Sequence, residues 1–162
     1  TDISVTKAPV AIRAEDAPAR KTGSNYPEPF ASRVGSRVKK PLGDVFGLTN
    51  YGVNLTTLPP GGISALRHCH TKQQEFIYIL EGAPTLITDE GETSLSPGMC
   101  AGFTPKSSRA HHLVNHGTVD VVYLEIGDRT AGDMGIYPDD DIEMVTDAEG
   151  RRCFTHKDGT PY

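Results

Sequence analysis

His68 and His70 stand two apart in the chain, and Glu75 follows His70 by five residues. Imidazole nitrogens and a carboxylate oxygen are donors that hold a first-row divalent ion. On an extended strand, residues two apart share a face, so Leu66, His68 and His70 point the same way. Neighbours on that face lie about 6.6 Å apart along the backbone, close enough for both imidazoles to reach one ion. Glu75 opens a second alternation, with Ile77 and Ile79 in its phase and Phe76, Tyr78 and Leu80 opposite. The polar stretch Thr71-Lys72-Gln73-Gln74 between the two runs has hairpin length. A hairpin there would fold Glu75 back beside His70 and complete a His-His-carboxylate cluster inside a sheet.

A third imidazole is available in Ala110-His111-His112-Leu113-Val114-Asn115-His116. Adjacent strand residues face opposite ways, so His111 and His112 cannot both face one cavity unless a bulge intervenes. With His111 inward, Leu113 and Asn115 share its face; with His112 inward, His116 follows it towards the next turn. The first register is preferred. The expected metal ligands are therefore His68, His70, Glu75 and His111, with His112 as the alternative third histidine. Such a set suits one divalent transition metal per chain (Zn, Fe, Mn or Ni) and leaves one or two coordination positions open. A lone histidine is more often a hydrogen-bonded core residue, but two in phase with a carboxylate point to a metal. Cys69 faces away from the histidines, and Cys100 and Cys153 show no paired spacing. Tyr51, Tyr78, Tyr123 and Glu125 are candidates for a proton donor or base, although aromatics on a sheet are usually core. No Ser-His-Asp signature, phosphate loop or glycine-rich nucleotide fingerprint is present.

Positioning such a cluster takes short strands and tight turns. β-rich alternation recurs over residues 45–58, 75–80, 84–88, 92–95, 99–103, 110–115 and 119–126. Turn formers punctuate it at Pro59-Pro60-Gly61-Gly62, Glu81-Gly82, Asp89-Glu90-Gly91, Pro97-Gly98 and His116-Gly117-Thr118. Strands at intervals of roughly eight to twelve residues mark an all-β sandwich or barrel, here placed in residues 42–128. No βαβ rhythm and no internal repeat compete with that reading. Residues 1–41 carry Pro9, Pro18, Pro27, Pro29 and Pro41 without a sustained period, which predicts an extended N-terminal arm. Within it, Arg33, Arg37, Lys39 and Lys40 form a basic cluster that reads as a solvated face in preference to an anion site. Residues 129–162 form a turn-rich C-terminal extension, with a hairpin of 142–146 and 151–155 about Asp147-Ala148-Glu149-Gly150. That hairpin must bury Ile142, Met144 and Phe154 against the arm, the barrel or a partner subunit. With the apolar face of Phe76, Tyr78 and Leu80, this predicts a homodimer.

Gly62, His68, His70, Glu75 and Gly82 reproduce the first motif of the cupins: glycine, five residues, His-x-His, four residues, glutamate, six residues, glycine. The second motif is followed more loosely, through Gly98, Phe103, Pro105, His111 and Asn115. Ser107 stands where cupins usually carry a glycine and Ala110 where they carry the histidine, so His111 comes one residue late. The chain resembles small single-domain bacterial cupins, including sugar-phosphate-isomerase-like and mannose-6-phosphate-isomerase-like members, over residues 48–128. That resemblance implies a double-stranded β-helix, the jelly-roll barrel in which cupins are built. It also implies a small-molecule substrate, a sugar or sugar phosphate, in the barrel mouth.

Composition narrows the alternatives. A chain of 162 residues has room for one domain with a full core. A net charge of −5 without a strong basic tract excludes a nucleic-acid footprint. No run approaches the roughly 18 apolar residues of a membrane span. The first residues lack an apolar leader, and three cysteines form no disulfide framework, so the expected compartment is the cytoplasm. Three functions are compatible with the site. The first is a metal-dependent isomerase, in which a metal holds adjacent carbonyl and hydroxyl oxygens while a base moves the proton between them. The second is an Fe(II)-dependent dioxygenase with the same ligands. The third is a non-catalytic small-molecule binder.

Overall fold

In a computed structural model of the chain, residues 7–21 and 23–162 are described. The first six residues of the expected arm, and Thr22, lie outside them. Among the described residues twelve strands follow the turn signals of the sequence: β1 Val38–Pro41, β2 Tyr51–Leu58, β3 Cys69–His70, β4 Glu75–Glu81, β5 Thr85–Thr88 and β6 Gly91–Ser94, then β7 Cys100–Phe103, β8 His111–Val114, β9 Val121–Asp128, β10 Gly135–Ile136, β11 Glu143–Thr146 and β12 Arg152–Thr155. Two short helices, α1 Phe30–Val34 and α2 Leu42–Val45, flank β1.

One wall is a five-stranded antiparallel sheet in the order β1-β2-β9-β4-β7. Its edge strand β1 comes from the segment read as an arm, where Lys39 lies opposite Thr56. The other wall is made of β6-β5-β8 and β12-β11-β10-β3, which the antiparallel bridges His68↔His111 and Ile63↔Val114 join into one face. The fold is the all-β double-stranded β-helix. Between the walls lies a cluster of Leu58, Ile77, Ile79, Leu86, Leu95, Leu113, Val121 and Tyr123.

The connection 71–74 is not the hairpin that its length suggests. β3 pairs with β10 and β4 with β7 and β9, so residues 71–74 cross from one wall to the other. Carboxylates help to hold this crossing: Lys72 and Gln73 donate their amides to Asp133 Oδ1 at 2.9 and 3.1 Å, and Gln74 donates to Asp128. Glu75 still arrives beside His70, across the barrel mouth instead of along a sheet.

Two glycines of the first motif are demanded by space. A Cβ on Gly62 would lie 2.9 Å from the Pro59 carbonyl oxygen. Gly82, at φ +78°, closes β4 where a Cβ would lie 2.6 Å from the Asp120 carbonyl oxygen. The alternation in β4 leaves Ile77 and Ile79 buried, while Phe76, Tyr78 and Leu80 stay about 40% exposed on the outer face. Beyond the barrel, Ile142 and Met144 are buried with Phe30, Leu66 and Tyr137, and Tyr26 and Phe154 pack at the edge. Of the surfaces expected to cover the hairpin residues, the chain's own N-terminal segment supplies one, through Tyr26 and Phe30.

Candidate metal centre

The backbone brings His68, His70, Glu75 and His111 to one place from both walls. The His68↔His111 bridge sets those two imidazoles side by side, with ring centroids 5.1 Å apart. His111 and Leu113 of β8, and Asn115 just after it, are buried inward, whereas His112 and Val114 are half-buried on the other side. The residue that delays His111 relative to the cupin pattern is taken up before the strand, in a 3-10 turn over Pro105–Ser107 that ends on left-handed Ser108 at φ +49°.

Each histidine has its Nδ1 engaged, and this decides what Nε2 can do. His68 Nδ1 donates to the Leu66 carbonyl at 2.7 Å, and a carbonyl only accepts, so the proton sits on Nδ1. His111 Nδ1 faces the Arg109 carbonyl at 3.3 Å, and His70 Nδ1 meets Asp133 Oδ2 at 2.6 Å. In the neutral imidazole every Nε2 then carries a lone pair, the tautomer that ligates metals. All three Nε2 atoms surround the Glu75 carboxylate, at 3.7 Å for His68, 3.3 Å for His70 and 2.6 Å for His111. An ion with bonds of about 2.1 Å spaces its ligands roughly 3 to 4.2 Å apart, so the His68 and His70 separations from Glu75 fit. Ligand atoms of His68, His70 and Glu75 all lie within 4.8 Å of one another, and these three residues can hold a metal ion.

Aromatic stacking fixes the rings. Phe103 lies parallel to His111 with centroids 3.5 Å apart, and Tyr137 stacks on His68 at 5.5 Å. Burial disfavours the charge on Glu75, but donation from Nε2 of His111, His68 and His70, which requires their doubly protonated forms, outweighs it and holds the carboxyl well below its usual range. Burial also opposes a charged His70, yet Glu75 and Asp133 together raise its pKa. His112 faces elsewhere: its Nδ1 donates to the Ala65 carbonyl at 2.9 Å, and burial pushes its pKa down. Among the proton-transfer candidates, Tyr51 and Tyr78 are exposed, and Tyr123 is buried in the core. Glu125 alone of the four shares a cavity of about 360 Å³ with His68, His70 and Glu75.

Asp133 was not legible from the sequence as part of the site. It stands 63 residues from His70, is 2% exposed, and serves three donors at once: His70 and the amides of Lys72 and Gln73. Asp133→Asn would turn an amide N–H towards the His70 Nδ1 proton, favouring the tautomer that blocks Nε2. Metal affinity is expected to fall about 10- to 100-fold, measured by competition with a chelator, and an unchanged affinity would refute this positioning role.

A cupin-domain family model matches residues 54–127. A solved sugar phosphate isomerase of the cupin superfamily from Silicibacter pomeroyi is 38% identical, over 94% of this chain and 96% of that one, with a TM-score of 0.86. The chain belongs to the cupin superfamily. This cupin is also similar to a candidate sugar phosphate isomerase from Acidithiobacillus ferrooxidans, at 31% identity over 78% of this chain and 80% of that one, TM-score 0.70. A polyketide cyclase from Streptomyces resistomycificus shares the fold at 18% identity over 73% and 78% of the two chains, TM-score 0.56. A search of curated proteins found no match to this cupin. No helix among the described residues is long and apolar enough to cross a membrane.

Proposed function

We propose that this cupin is a metal-dependent isomerase of a small sugar or sugar phosphate, with His68, His70, Glu75 and His111 holding one divalent ion (Zn, Fe, Mn or Ni). The observation that carries the reading is the near full-length likeness, at 38% identity, to a cupin described as a sugar phosphate isomerase. The site is consistent with it. The histidine cluster opens on a cavity of about 360 Å³, within the size range of small-molecule sites, whose lining includes Asn25, Asn54, Gln73 and Gln74. A divalent ion at the cluster would polarise a substrate carbonyl and acidify the carbon-bound proton beside it. Carrying that proton requires a base outside the ligand set, and we assign this role to Glu125. Its place in β9 is opposite Ile77 and two residues before Gly127, which pairs with Glu75. Such diagonal neighbours on one sheet face stand about 7–8 Å apart, room enough for a substrate carbon between them.

The test is an isomerisation screen of aldoses, ketoses and their phosphates with metal-reconstituted protein, with and without oxygen. Turnover independent of oxygen, and lost in Glu125→Gln with metal retained, is the expected result. Activity that vanishes without oxygen would replace the proposal with an Fe(II)-dependent dioxygenase. Metal binding without turnover of any tested sugar would favour a non-catalytic binder.

The proposal includes a homodimer formed through the outer face of the five-stranded sheet, where Phe76, Tyr78, Leu80 and Met99 remain exposed. Light scattering at micromolar concentration is expected to give twice the chain mass of 17.4 kDa. A monodisperse monomer would remove this part.

A further inference from the structure

The basic cluster of the N-terminal segment does not behave as one solvated face. Arg33 turns away to Asp140 at 2.7 Å, and Lys40 donates to the Glu15 carbonyl at 2.6 Å. Arg37 and Lys39 turn inward and line the cavity that also holds His68, His70 and Glu75, and Arg20 joins them on the same wall. The register of β1 explains the split: Lys39 lies opposite Thr56, which pairs with Tyr123, so it stands on the inner face of the sheet, while Lys40 stands on the outer.

Gathering these cations is unfavourable on its own. The Lys39 side chain is 13% exposed, and burial followed by the nearby Arg37 charge depresses its ammonium pKa, with Glu125 at 3.1 Å opposing the effect. Burial and the charge of Arg37 likewise depress Arg20. Arg37 donates from Nη1 to the Ser64 carbonyl, but its Nε is buried without a hydrogen-bond partner among the described residues. A buried donor left unsatisfied costs about 1–3 kcal/mol. A protein with a net charge of −5 thus concentrates positive charge on the wall beside its metal-binding cluster. Glu125 meets Lys39 and the Ser64 carbonyl meets Arg37 Nη1, but Arg37 Nε is left unsatisfied, and an oxyanion in the cavity would supply its acceptor.

We infer that Arg37 and Lys39, with Arg20 beside them, form the subsite for a phosphate monoester on the substrate, so that this cupin acts on a sugar phosphate in preference to the free sugar. This rests on the isomerase reading for the rest of the substrate, and the phosphate subsite itself is open to a separate test. Guanidinium groups offer planar forks of N–H donors to phosphate oxygens, and the ammonium adds a compact charge. A carboxylate would be held by the same chemistry, so the experiment must separate the two.

Inorganic phosphate is titrated calorimetrically into the metal-loaded full chain, with acetate and an unphosphorylated aldose in parallel runs. Phosphate is expected to bind, and Arg37→Gln and Lys39→Met each to weaken it at least about tenfold, the scale of one hydrogen bond to a charged group. Arg37→Lys should restore part of the loss, and Arg33→Gln and Lys40→Gln should change nothing. Metal content and melting temperature, measured on each variant, separate a lost subsite from a lost fold. No phosphate binding by the unaltered chain, equal binding of acetate, or undiminished binding in both inward-facing variants would overturn the inference. Phosphate binding with this dependence but no sugar-phosphate turnover would sink the isomerase reading and leave the subsite standing. Isomerisation of a free sugar with indifference to phosphate would do the reverse.

Discussion

Replacing both His68 and His70 with alanine is expected to take bound metal from about one ion per chain to near none. The two Nε2 atoms lie 3.7 and 3.3 Å from Glu75, and their removal leaves that carboxylate with His111 alone. The barrel should persist, because β3 contributes only two residues to the ladders and the apolar clusters on either side do not include the histidines. Elemental analysis of protein purified without an affinity tag reads the metal directly. A melting experiment gives an independent reading. An ion at about 100 times its Kd stabilises the folded chain by about 2.7 kcal/mol, so a chelator should lower the Tm of the unaltered protein by roughly 5 to 11 °C. The double variant should show no such response. Full metal retention there would end the metal-centre proposal.

The second large effect separates two adjacent histidines. His111→Ala is expected to weaken metal binding by about 3–4 kcal/mol, one ligand's share of a site worth roughly 10–16 kcal/mol. It also removes the ring that stacks on Phe103 and the contact at 2.6 Å with Glu75. His112→Ala deletes a hydrogen bond to the Ala65 carbonyl on the opposite face of β8 and should leave metal affinity nearly unchanged. Competition with a chelator decides between them, and a larger loss for His112→Ala would mean that His111 is not a ligand.

The period-two pattern made much of this legible. Leu66 and His68 are buried with His70 beside them, and Ile77 and Ile79 are buried behind Glu75, because alternation is a local property that any strand expresses. The inward set of His111, Leu113 and Asn115 follows from the same rule. What the local pattern could not show is how strands are shared between sheets. Residues 71–74 have the length of a hairpin, and only the pairing of β3 with β10, some sixty residues later, makes them a crossing. Asp133 is invisible for the same reason: an aspartate in a turn-rich stretch has no periodicity, and its role exists only once the chain returns to the barrel mouth. The basic cluster was half readable. Alternation separates Lys39 from Lys40, but that 38–41 forms a strand at all depends on the neighbouring β2.

The pairing of β3 with β10 also orders events during synthesis. His68, His70 and Glu75 leave the ribosome long before the residues that discipline them: Asp133 for the His70 ring, Gly135 for its backbone, and Tyr137 for the His68 face. At about 5–20 residues per second, the 63 residues from His70 to Asp133 take roughly 3 to 13 s to make. During that interval the nascent chain owns the ligands without their orientation, and an ion captured early would be held loosely and exchanged. If the proposed centre holds an ion, a chain ending at Asp128 would lack Asp133, Gly135 and Tyr137 and is expected to retain metal poorly.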